Sequence, residues 1–286
     1  MKTLIDVIGN TAGHWVGDGF PVRSLFSYHG DTRAITPFLL FDYAGPFQFE
    51  PNAGPPRGVG QHPHRGFETV TIVYDGEVSH RDSGGGGGTI GAGDVQWMTA
   101  GAGVIHEEFH SAAYSRSGGP FRMVQLWVNL PARHKSAPPA YQAITADSIP
   151  TVQLDGASAR IIAGQIAGTR GPARSFTPIN LWDVRMAAGA DAVLPLPRGH
   201  NTMIAVLSGH VTVAGRGIGA AEIARLSTEG EGAALHADDD AMLLVMTGEP
   251  IDEPVFGHGP FVMNTRAEIV QAIEDFNAGR FGGIAG

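Results

Sequence analysis

Short runs of β-branched and aromatic residues, separated by glycine turns, recur along the first half of the chain. Residues 67–74 (FETVTIVY) precede Asp75-Gly76, a dipeptide typical of hairpin turns. Residues 95–98 and 123–130 have the same strand character. With 41 glycines and 19 prolines among 286 residues, the composition favours turns and short strands over long helices. Strands spaced about ten residues apart predict an all-β, antiparallel sandwich or barrel.

The second half of the chain shows the same alternation of short predicted strands and glycine turns. Residues 204–207 and 210–213 flank Ser208-Gly209 and predict two strands joined by a turn. Residues 242–246 (MLLVM) resemble the earlier run at 123–130. We therefore expect two related β domains in tandem. The predicted limits are residues 1–135 for the first domain, 136–150 for a linker and 151–286 for the second domain.

Two segments depart from the strand pattern. Residues 133–142 (RHKSAPPAYQ) lose the alternation and contain a proline pair, which is typical of a linker. Residues 265–268 (TRAE) form a capping-box pattern, and Ile269, Ile273 and Phe276 then recur at helical spacing. Gly279 is positioned to end that helix. The chain is thus predicted to close with a helix packed on one of the domains.

Charge and composition argue against several function classes. The formal net charge is −9 and no dense Lys/Arg run occurs, so we expect neither direct nucleic-acid binding nor membrane binding. Without a long apolar run or a secretory signal pattern, a cytoplasmic location is expected. Cysteine is absent, so a metal would be held by histidine and carboxylate. Two fused domains can cover their own sheet edges, which makes a monomer the expected state.

Two short segments carry pairs of metal-ligand residues. The first is HPH at residues 62–64, and the second is HEE at residues 106–108. Side chains at i and i+2 of an extended strand leave the same face, so each pair aims two donors at one point. Two such strands would offer three imidazoles and one carboxylate to a single divalent ion, with coordination positions left open. Glu68 shares the parity of the first pair, so parity alone does not choose between Glu68 and Glu108 as the carboxylate.

The spacing of these residues resembles known motifs. His62, His64 and Glu68, followed by Gly76, resemble the first motif of the cupin superfamily. Longer blocks resemble the pirin family within that superfamily: HPHRGFETV at 62–70, GDVQWMTAG at 93–101, QLWVNL at 125–130 and HGPFVMNT at 258–265. The resemblance implies two tandem cupin (jelly-roll-like) β-barrel domains with a short linker and a C-terminal helix.

The resemblance to pirins also implies a ligand set. The family uses the two histidines of HPHRG and a later His-x-Glu, which correspond here to His62, His64, His106 and Glu108. Glu68 is then expected to accept a hydrogen bond that orients a ligand imidazole. Glu107 is expected to point away from the ion as a solvated acid.

Several other residues receive a structural interpretation. We expect His110 to be a rim or structural histidine, and we assign no role to His80 or His134. Trp97 and Trp127 are expected to fill the core, and a position lining the pocket is the weaker alternative.

The second domain is predicted to keep the barrel without the metal site. If Gly209 corresponds to Gly76, the positions that match the first histidine pair and Glu68 are Pro195, Pro197 and Asn201, which do not form a metal site. A displaced site is a weaker alternative. It would be built from His200, His210 and His236.

The resemblance implies a reaction as well. Several pirins are flavonol (quercetin) 2,3-dioxygenases, which open the central heterocycle and release carbon monoxide. We therefore expect a metal-dependent dioxygenase acting on quercetin-like flavonols and dioxygen, with Glu108 as both ligand and general base. The cofactor is expected to be one divalent ion. Fe(II) is favoured, and the donor set also admits Mn, Ni, Co, Cu or Zn.

Two alternatives remain open at this point. Pirins also include metal- or redox-responsive regulators that bind a transcription factor or a metabolic enzyme, so a protein partner is the second hypothesis. A barrel loaded with Zn or Ni that catalyses a non-oxidative reaction is the third, because one fold hosts many chemistries.

Overall fold

The computed structural model describes residues 1–284. Strands make up 53% of the chain and helices 10%, which confirms the all-β prediction. The first strands are β1 (Leu4–Gly9), β2 (His14–Val16), β3 (Phe20–Ser27), β4 (Phe38–Phe49), β5 (Gly58–His64), β6 (Phe67–Asp75), β7 (Val78–Asp82), β8 (Gly87–Ile90), β9 (Val95–Thr99), β10 (Val104–His110), β11 (Gly119–Asn129), β12 (Ala140–Ile144) and β13 (Thr151–Leu154).

The remaining strands follow in chain order. They are β14 (Ala157–Ala163), β15 (Gln165–Ile166), β16 (Thr169–Arg170), β17 (Ile179–Met186), β18 (Asp191–Pro195), β19 (Asn201–Ser208), β20 (Val211–Val213), β21 (Arg216–Ile218), β22 (Glu222–Leu226), β23 (Gly232–Ala237), β24 (Ala241–Gly248), β25 (Phe256–His258) and β26 (Phe261–Met263). The α-helices are α1 (Thr32–Ile35), α2 (Ala112–Ser117) and α3 (Arg266–Asn277). Short 3₁₀ turns cover Ala132–His134 and Ala146–Ser148.

The strands form two barrels with the same topology. In the first barrel a seven-stranded sheet, β12-β9-β6-β11-β4-β3-β2, accompanies a four-stranded sheet, β5-β10-β7-β8. In the second barrel the corresponding sheets are β1-β22-β19-β24-β17-β14-β13 and β18-β23-β20-β21. The orders match strand for strand, which confirms the predicted pair of related domains.

The residues that build each barrel are not consecutive. The first barrel contains residues 12–32, 38–146 and the segment from Asp252 onward, and the second contains residues 1–11, 33–37 and 147–251. This grouping differs from the consecutive division expected from the sequence. The reason is that two edge strands pair with distant strands. Residues 140–144, which the prediction placed in the linker, pair with β9 of the first barrel, and residues 4–9 pair with β22 of the second barrel.

The predicted C-terminal helix is confirmed, and it groups with the first barrel. Thr265 caps α3 by accepting a hydrogen bond from the Glu268 N–H (3.2 Å), and Gly279 follows the helix with a φ of +74°. Ile269 of α3 is buried in a small apolar cluster that also includes Phe261 of β26. The helix therefore covers this part of the first barrel.

Strand β6 is central in its sheet and is buried along almost its whole length. Phe67–Asp75 lies between β9 and β11, and all of its residues except the last are buried. The interior of the second barrel is filled with aliphatic side chains and Trp182. Among residues 1–284, none of the helices has the length and hydropathy of a membrane-spanning segment.

Candidate metal centre

The predicted histidines converge inside the first barrel. Strands β5 and β10 are antiparallel, and His62 lies directly opposite His106. The candidate ligand atoms of His62, His64 and His106 all lie within 4.8 Å of one another. The sequence pattern works here because both segments are extended, so residues two apart leave the same face.

A second group shares His106. Strand β7 pairs with the other side of β10 and places His80 opposite Glu108. Ligand atoms of His80, His106 and Glu108 lie within 4.8 Å of one another, and all three residues are buried. The structure thus places the Glu108 carboxylate beside His80 and His106. The β5–β10 register shifts between His106 and Glu108, so Glu108 pairs with Val59, further along β5 from the two histidines.

Two of the imidazoles are oriented by backbone carbonyls. The Nδ1 atom of His62 lies 2.8 Å from the Gly60 carbonyl oxygen, and the Nδ1 atom of His64 lies 3.3 Å from that of Pro260. Carbonyl oxygens only accept hydrogen bonds, so both Nδ1 atoms carry the proton. Each Nε2 atom therefore bears the lone pair that a metal ion needs.

The third imidazole is oriented through His80. The Nε2 atom of His80 donates to Asp82 Oδ2 (3.0 Å), which leaves the His80 Nδ1 atom as an acceptor. That Nδ1 atom accepts from Gln96 Nε2 (3.0 Å) and lies 3.4 Å from His106 Nδ1. In this network His106 Nδ1 is the donor, and His106 Nε2 keeps its lone pair.

The Nε2 atom of His106 is buried and has no hydrogen-bond partner among the described residues. A buried polar nitrogen without a partner is costly, by about 1–3 kcal/mol. A divalent cation held by the three Nε2 atoms would remove that cost. The residues present therefore fit a metal ion.

Burial keeps the central imidazoles neutral. Burial, assisted by the neighbouring His62, lowers the pKa of His64 to about 3. Burial and the adjacent histidines His64, His62 and His80 hold the pKa of His106 well below its usual value. Neutral imidazole is the form that binds metal ions.

Glu108 has two polar neighbours on the same oxygen. Its Oε1 atom accepts from Gln96 Nε2 (3.4 Å) and lies 3.3 Å from Thr71 Oγ1, whose hydroxyl donates to Gln125 Oε1 at the shorter distance of 2.6 Å. These contacts leave the second carboxylate oxygen, Oε2, as the atom that can accept a proton or approach an ion.

Glu68 does not play the part that its parity suggested. Strand β5 ends at His64, the chain turns at Gly66 with a φ of +90°, and β6 continues in the other sheet, so parity is not maintained across the turn. Glu68 Oε1 accepts from Thr99 Oγ1 (2.7 Å), and Oε2 is buried without a hydrogen-bond partner among the described residues. Burial raises the pKa of Glu68 to about 7. The expected hydrogen bond from a ligand imidazole is therefore not found.

The expectation of a solvated Glu107 is wrong. Glu107 lies opposite Arg81 in the β10–β7 pairing, and its side chain is only 9% exposed. Its Oε1 atom accepts from Arg81 Nε (2.8 Å) and Nη2 (2.5 Å). The cross-strand cation, which sequence spacing could not identify, explains why this acid is buried.

His80 is the site residue that sequence reasoning missed. It is 1% exposed and stacks on Tyr141, with ring centroids 5.2 Å apart. The sequence carried a signal, because His80 and Asp82 repeat the i, i+2 spacing of the two metal-ligand pairs.

Two further expectations can be compared with the structure. The structural interpretation of His110 is confirmed: its Nε2 atom donates to the Gly19 carbonyl oxygen (2.9 Å), and its ring packs among aromatic side chains. Trp97 is fully buried as expected, whereas Trp127 is partly exposed and lies 5.2 Å from the His64 ring between centroids.

The corresponding place in the second barrel is apolar. Ala233 lies opposite Leu194 there, as His106 lies opposite His62 in the first barrel. Leu235 lies opposite Val213, as Glu108 lies opposite His80. These four apolar residues are buried in the core of the second barrel.

This strand pairing shifts the predicted correspondence between positions of the two domains by one residue. Leu194 occupies the position that corresponds to His62. Pro195, which the match of Gly209 with Gly76 predicts at that position, is exposed. Within the described part of the chain, both groups of candidate metal ligands lie in the first barrel. His200, His210 and His236 are not in either group; they pair with Thr247, Asp238 and Asp191 respectively.

The turn after His64 is fixed by the C-terminal segment and by a buried lysine. Arg65 Nη1 pairs with Asp275 Oδ2 of α3 (2.5 Å). Lys135 Nζ donates to the carbonyl oxygens of Gly66 (2.8 Å) and Val262 (2.9 Å) and to Asn129 Oδ1 (2.8 Å). The position of the HPH segment thus depends on residues far away in the sequence.

Substitution of Gly66 by alanine should destabilise this turn strongly. A Cβ atom at Gly66 would lie 2.0 Å from the Val262 carbonyl oxygen, in addition to the cost of the left-handed backbone. We expect Gly66→Ala to lower the free energy of unfolding by more than about 3 kcal/mol and to reduce metal occupancy. Urea unfolding of the metal-free protein measures the first effect.

Gly85→Ala is the matched control for that experiment. Gly85 has a similar φ of +86°, but a Cβ atom there has no neighbour within 4 Å. Its expected loss is only about 1 kcal/mol, the cost of the backbone conformation. Equal losses in the two variants would show that the contact with Val262 does not constrain the turn.

Two barrels with matching strand order, one with a histidine-rich interior and one with an apolar interior, define a bicupin. Residues 19–128 match the family described as Pirin, and residues 181–282 match the Pirin C-terminal cupin domain. The chain therefore belongs to the pirin family.

Individual relatives are similar over nearly the whole chain. A Pseudomonas aeruginosa protein named "Putative quercetin 2,3-dioxygenase" is 53% identical over 98% of this chain and 99% of its own length. Human pirin is 37% identical over 88% of this chain and 85% of its own. A crystal structure titled quercetin 2,3-dioxygenase from Acinetobacter baumannii is 53% identical, covers both chains completely and superposes with a TM-score of 0.97.

Proposed function

We propose that the protein is a metal-dependent dioxygenase that opens the heterocycle of quercetin-like flavonols. The single observation that carries the proposal is the set of three imidazoles with their Nδ1 atoms engaged and their ligand atoms within 4.8 Å of one another. The names of the Pseudomonas and Acinetobacter proteins support the choice of reaction.

In this proposal His62, His64, His106 and Glu108 hold one divalent ion. Fe(II) is our choice for the native ion, since a set of three histidines and one carboxylate with open positions suits oxygen chemistry. When bound, the ion would supply Lewis acidity that lowers the pKa of a substrate hydroxyl, together with open positions for substrate and dioxygen.

Glu108 is proposed as the general base. Its Oε1 atom accepts a hydrogen bond from Gln96, so Oε2 is the oxygen that takes the proton from the flavonol hydroxyl. Gln96 also donates to His80, and His80 accepts from His106. The same side chains therefore position both the proposed base and one proposed ligand.

A partly exposed tryptophan offers an aromatic surface for a flat substrate near these ligands. The Trp127 ring lies 5.2 Å from the His64 ring between centroids and is supported by Phe67, a fully buried ring stacked 4.2 Å away. We propose that this surface orients the flavonol rings while the neighbouring imidazoles orient its hydroxyl groups.

The test is aerobic turnover of quercetin by the protein loaded with Fe(II), and in parallel with Mn, Ni, Co, Cu or Zn. We expect consumption of quercetin and dioxygen and release of carbon monoxide in equal amounts. A protein that carries a full complement of metal and consumes none of these flavonols would overturn the dioxygenase proposal. That result, together with metal-dependent capture of a transcription factor or a metabolic enzyme, would favour the regulator instead.

A further inference from the structure

The second barrel contains a large cleft although its interior lacks the histidines. The cleft has a volume of about 870 Å³, within the range of ligand pockets. It lies where β17 begins, β18 ends and β19 begins. In the first barrel the corresponding strands are β4, β5 and β6, and the end of β5 carries His64. The open end of the second barrel has therefore been retained without the metal ligands.

One wall of the cleft is a hairpin with a strained turn. Strands β15 and β16 are joined by Ala167 and Gly168, both with positive φ (47° and 81°). A left-handed alanine costs about 1 kcal/mol, and such strain concentrates at functional sites. The hairpin is tied to the base of the cleft because the Gln165 N–H donates to Asn180 Oδ1 (3.0 Å).

Two buried polar groups at the cleft have no hydrogen-bond partner among the described residues. They are the indole Nε1 atom of Trp182, a residue 1% exposed, and the Oγ1 atom of Thr177, a residue 6% exposed. An indole N–H can only donate, and a threonine hydroxyl can donate. A ligand that brings acceptor oxygens would satisfy both groups.

His200 can provide a third donor, through a series of side-chain hydrogen bonds at the same cleft. Asn180 Nδ2 donates to Thr247 Oγ1 (2.9 Å), and Thr247 Oγ1 lies 3.2 Å from His200 Nδ1. When the Thr247 hydroxyl donates to His200 Nδ1, the proton of the neutral His200 ring lies on Nε2. That Nε2–H group can then donate to a ligand, in addition to the Trp182 N–H and the Thr177 hydroxyl. Burial lowers the pKa of His200, which favours this neutral form.

The charges and apolar surfaces of the cleft narrow the choice of ligand. Arg170 and Arg174 line it, and they outnumber the one lining carboxylate, Glu231, which pairs with Arg198 (3.5 Å). Apolar surface comes from Phe176 and from Ile166, Leu196 and the neighbouring prolines. The lining thus combines hydrogen-bond donors and positive charge with flat apolar surface.

We propose that the cleft of the second barrel binds an aromatic carboxylate without a metal ion. The carboxylate is bound by the Trp182 N–H and the Thr177 hydroxyl, with the arginines favouring its charge. The ring packs on Phe176 and the prolines. This site is separate from the candidate metal centre and does not depend on the proposed dioxygenase activity.

Calorimetric titration of the full-length protein with 2-naphthoate tests the proposal, with 2-naphthamide as the neutral probe. We expect 2-naphthoate to bind equally to the metal-loaded protein, the EDTA-treated protein and the His62→Ala variant. Thr177→Val and Trp182→Phe should each weaken binding about 10-fold or more, because each removes one donor to a charged group. The amide should bind at least about 10-fold more weakly than the acid.

Matched variants keep the test decisive. Thr151→Val and Trp15→Phe make the same changes at exposed positions and should leave binding unchanged. If Trp182→Phe fails to fold, Thr177→Val and the amide still decide the outcome. Absence of 2-naphthoate binding, loss of binding on metal removal, or unchanged binding by both Thr177→Val and a folded Trp182→Phe would overturn the proposal.

Discussion

Replacement of His106 by alanine is expected to abolish both stoichiometric metal binding and flavonol turnover. His106 belongs to both groups of candidate metal ligands, and its Nε2 atom is buried without a hydrogen-bond partner among the described residues. Even loss of a residue that only supports a ligand costs about 10–100-fold in metal affinity, so loss of a ligand should exceed about 100-fold. Metal analysis of the purified variant and a quercetin assay measure the two effects.

His29→Ala is the control, since His29 is an exposed histidine and its removal should change neither measurement. His106 is also fully buried, so a folding defect must be separated from a binding defect. His106→Gln retains a polar side chain of similar size and should fold while still losing the metal. Full metal content in a folded His106→Gln protein would show that the ion is bound elsewhere.

Substitution of Glu108 by glutamine should separate catalysis from metal binding. The amide preserves the shape of the side chain but cannot accept the substrate proton as a carboxylate does. We expect kcat to fall by about 10²–10⁴-fold, the usual contribution of a general base, while the three imidazoles and the amide oxygen of the new glutamine retain most of the metal. The measurement is steady-state quercetin turnover with metal content determined on the same sample.

Glu107→Gln is a control at the adjacent position. Glu107 faces Arg81 on β7, so its substitution changes a partly exposed ion pair and should leave kcat near the wild-type value. Normal turnover by Glu108→Gln would contradict the role of Glu108 as base. Loss of the metal from that variant would instead make Glu108 mainly a ligand.

Local pattern was sufficient to predict the strands and the histidine cluster. Residues 67–74 form a buried central strand because β-branched and aromatic side chains suit a sheet covered on both faces. His62 and His64 converge with His106 because the i, i+2 rule holds wherever a strand stays extended. The helix at Arg266–Asn277 was equally predictable, since its cap and its apolar spacing are both local.

The remaining features depend on pairing between distant residues, which local pattern does not encode. Glu68 lies in the other sheet because β5 ends at His64 and the chain turns at Gly66. Glu107 is buried because Arg81 lies opposite it on β7. His80 lies in the site because it is paired with Glu108 across strands β7 and β10. The edge strand at residues 140–144 has little strand character of its own and forms by pairing with β9.

The most direct test is a crystal structure of the protein soaked with Fe(II) or Mn(II), with anomalous data collected at the absorption edge of that metal. We expect one strong peak in the first barrel, about 2.0–2.2 Å from the Nε2 atoms of His62, His64 and His106 and from a Glu108 oxygen. No peak is expected in the second barrel. A first barrel without a peak, or a peak bound by other side chains, would contradict the proposed metal centre.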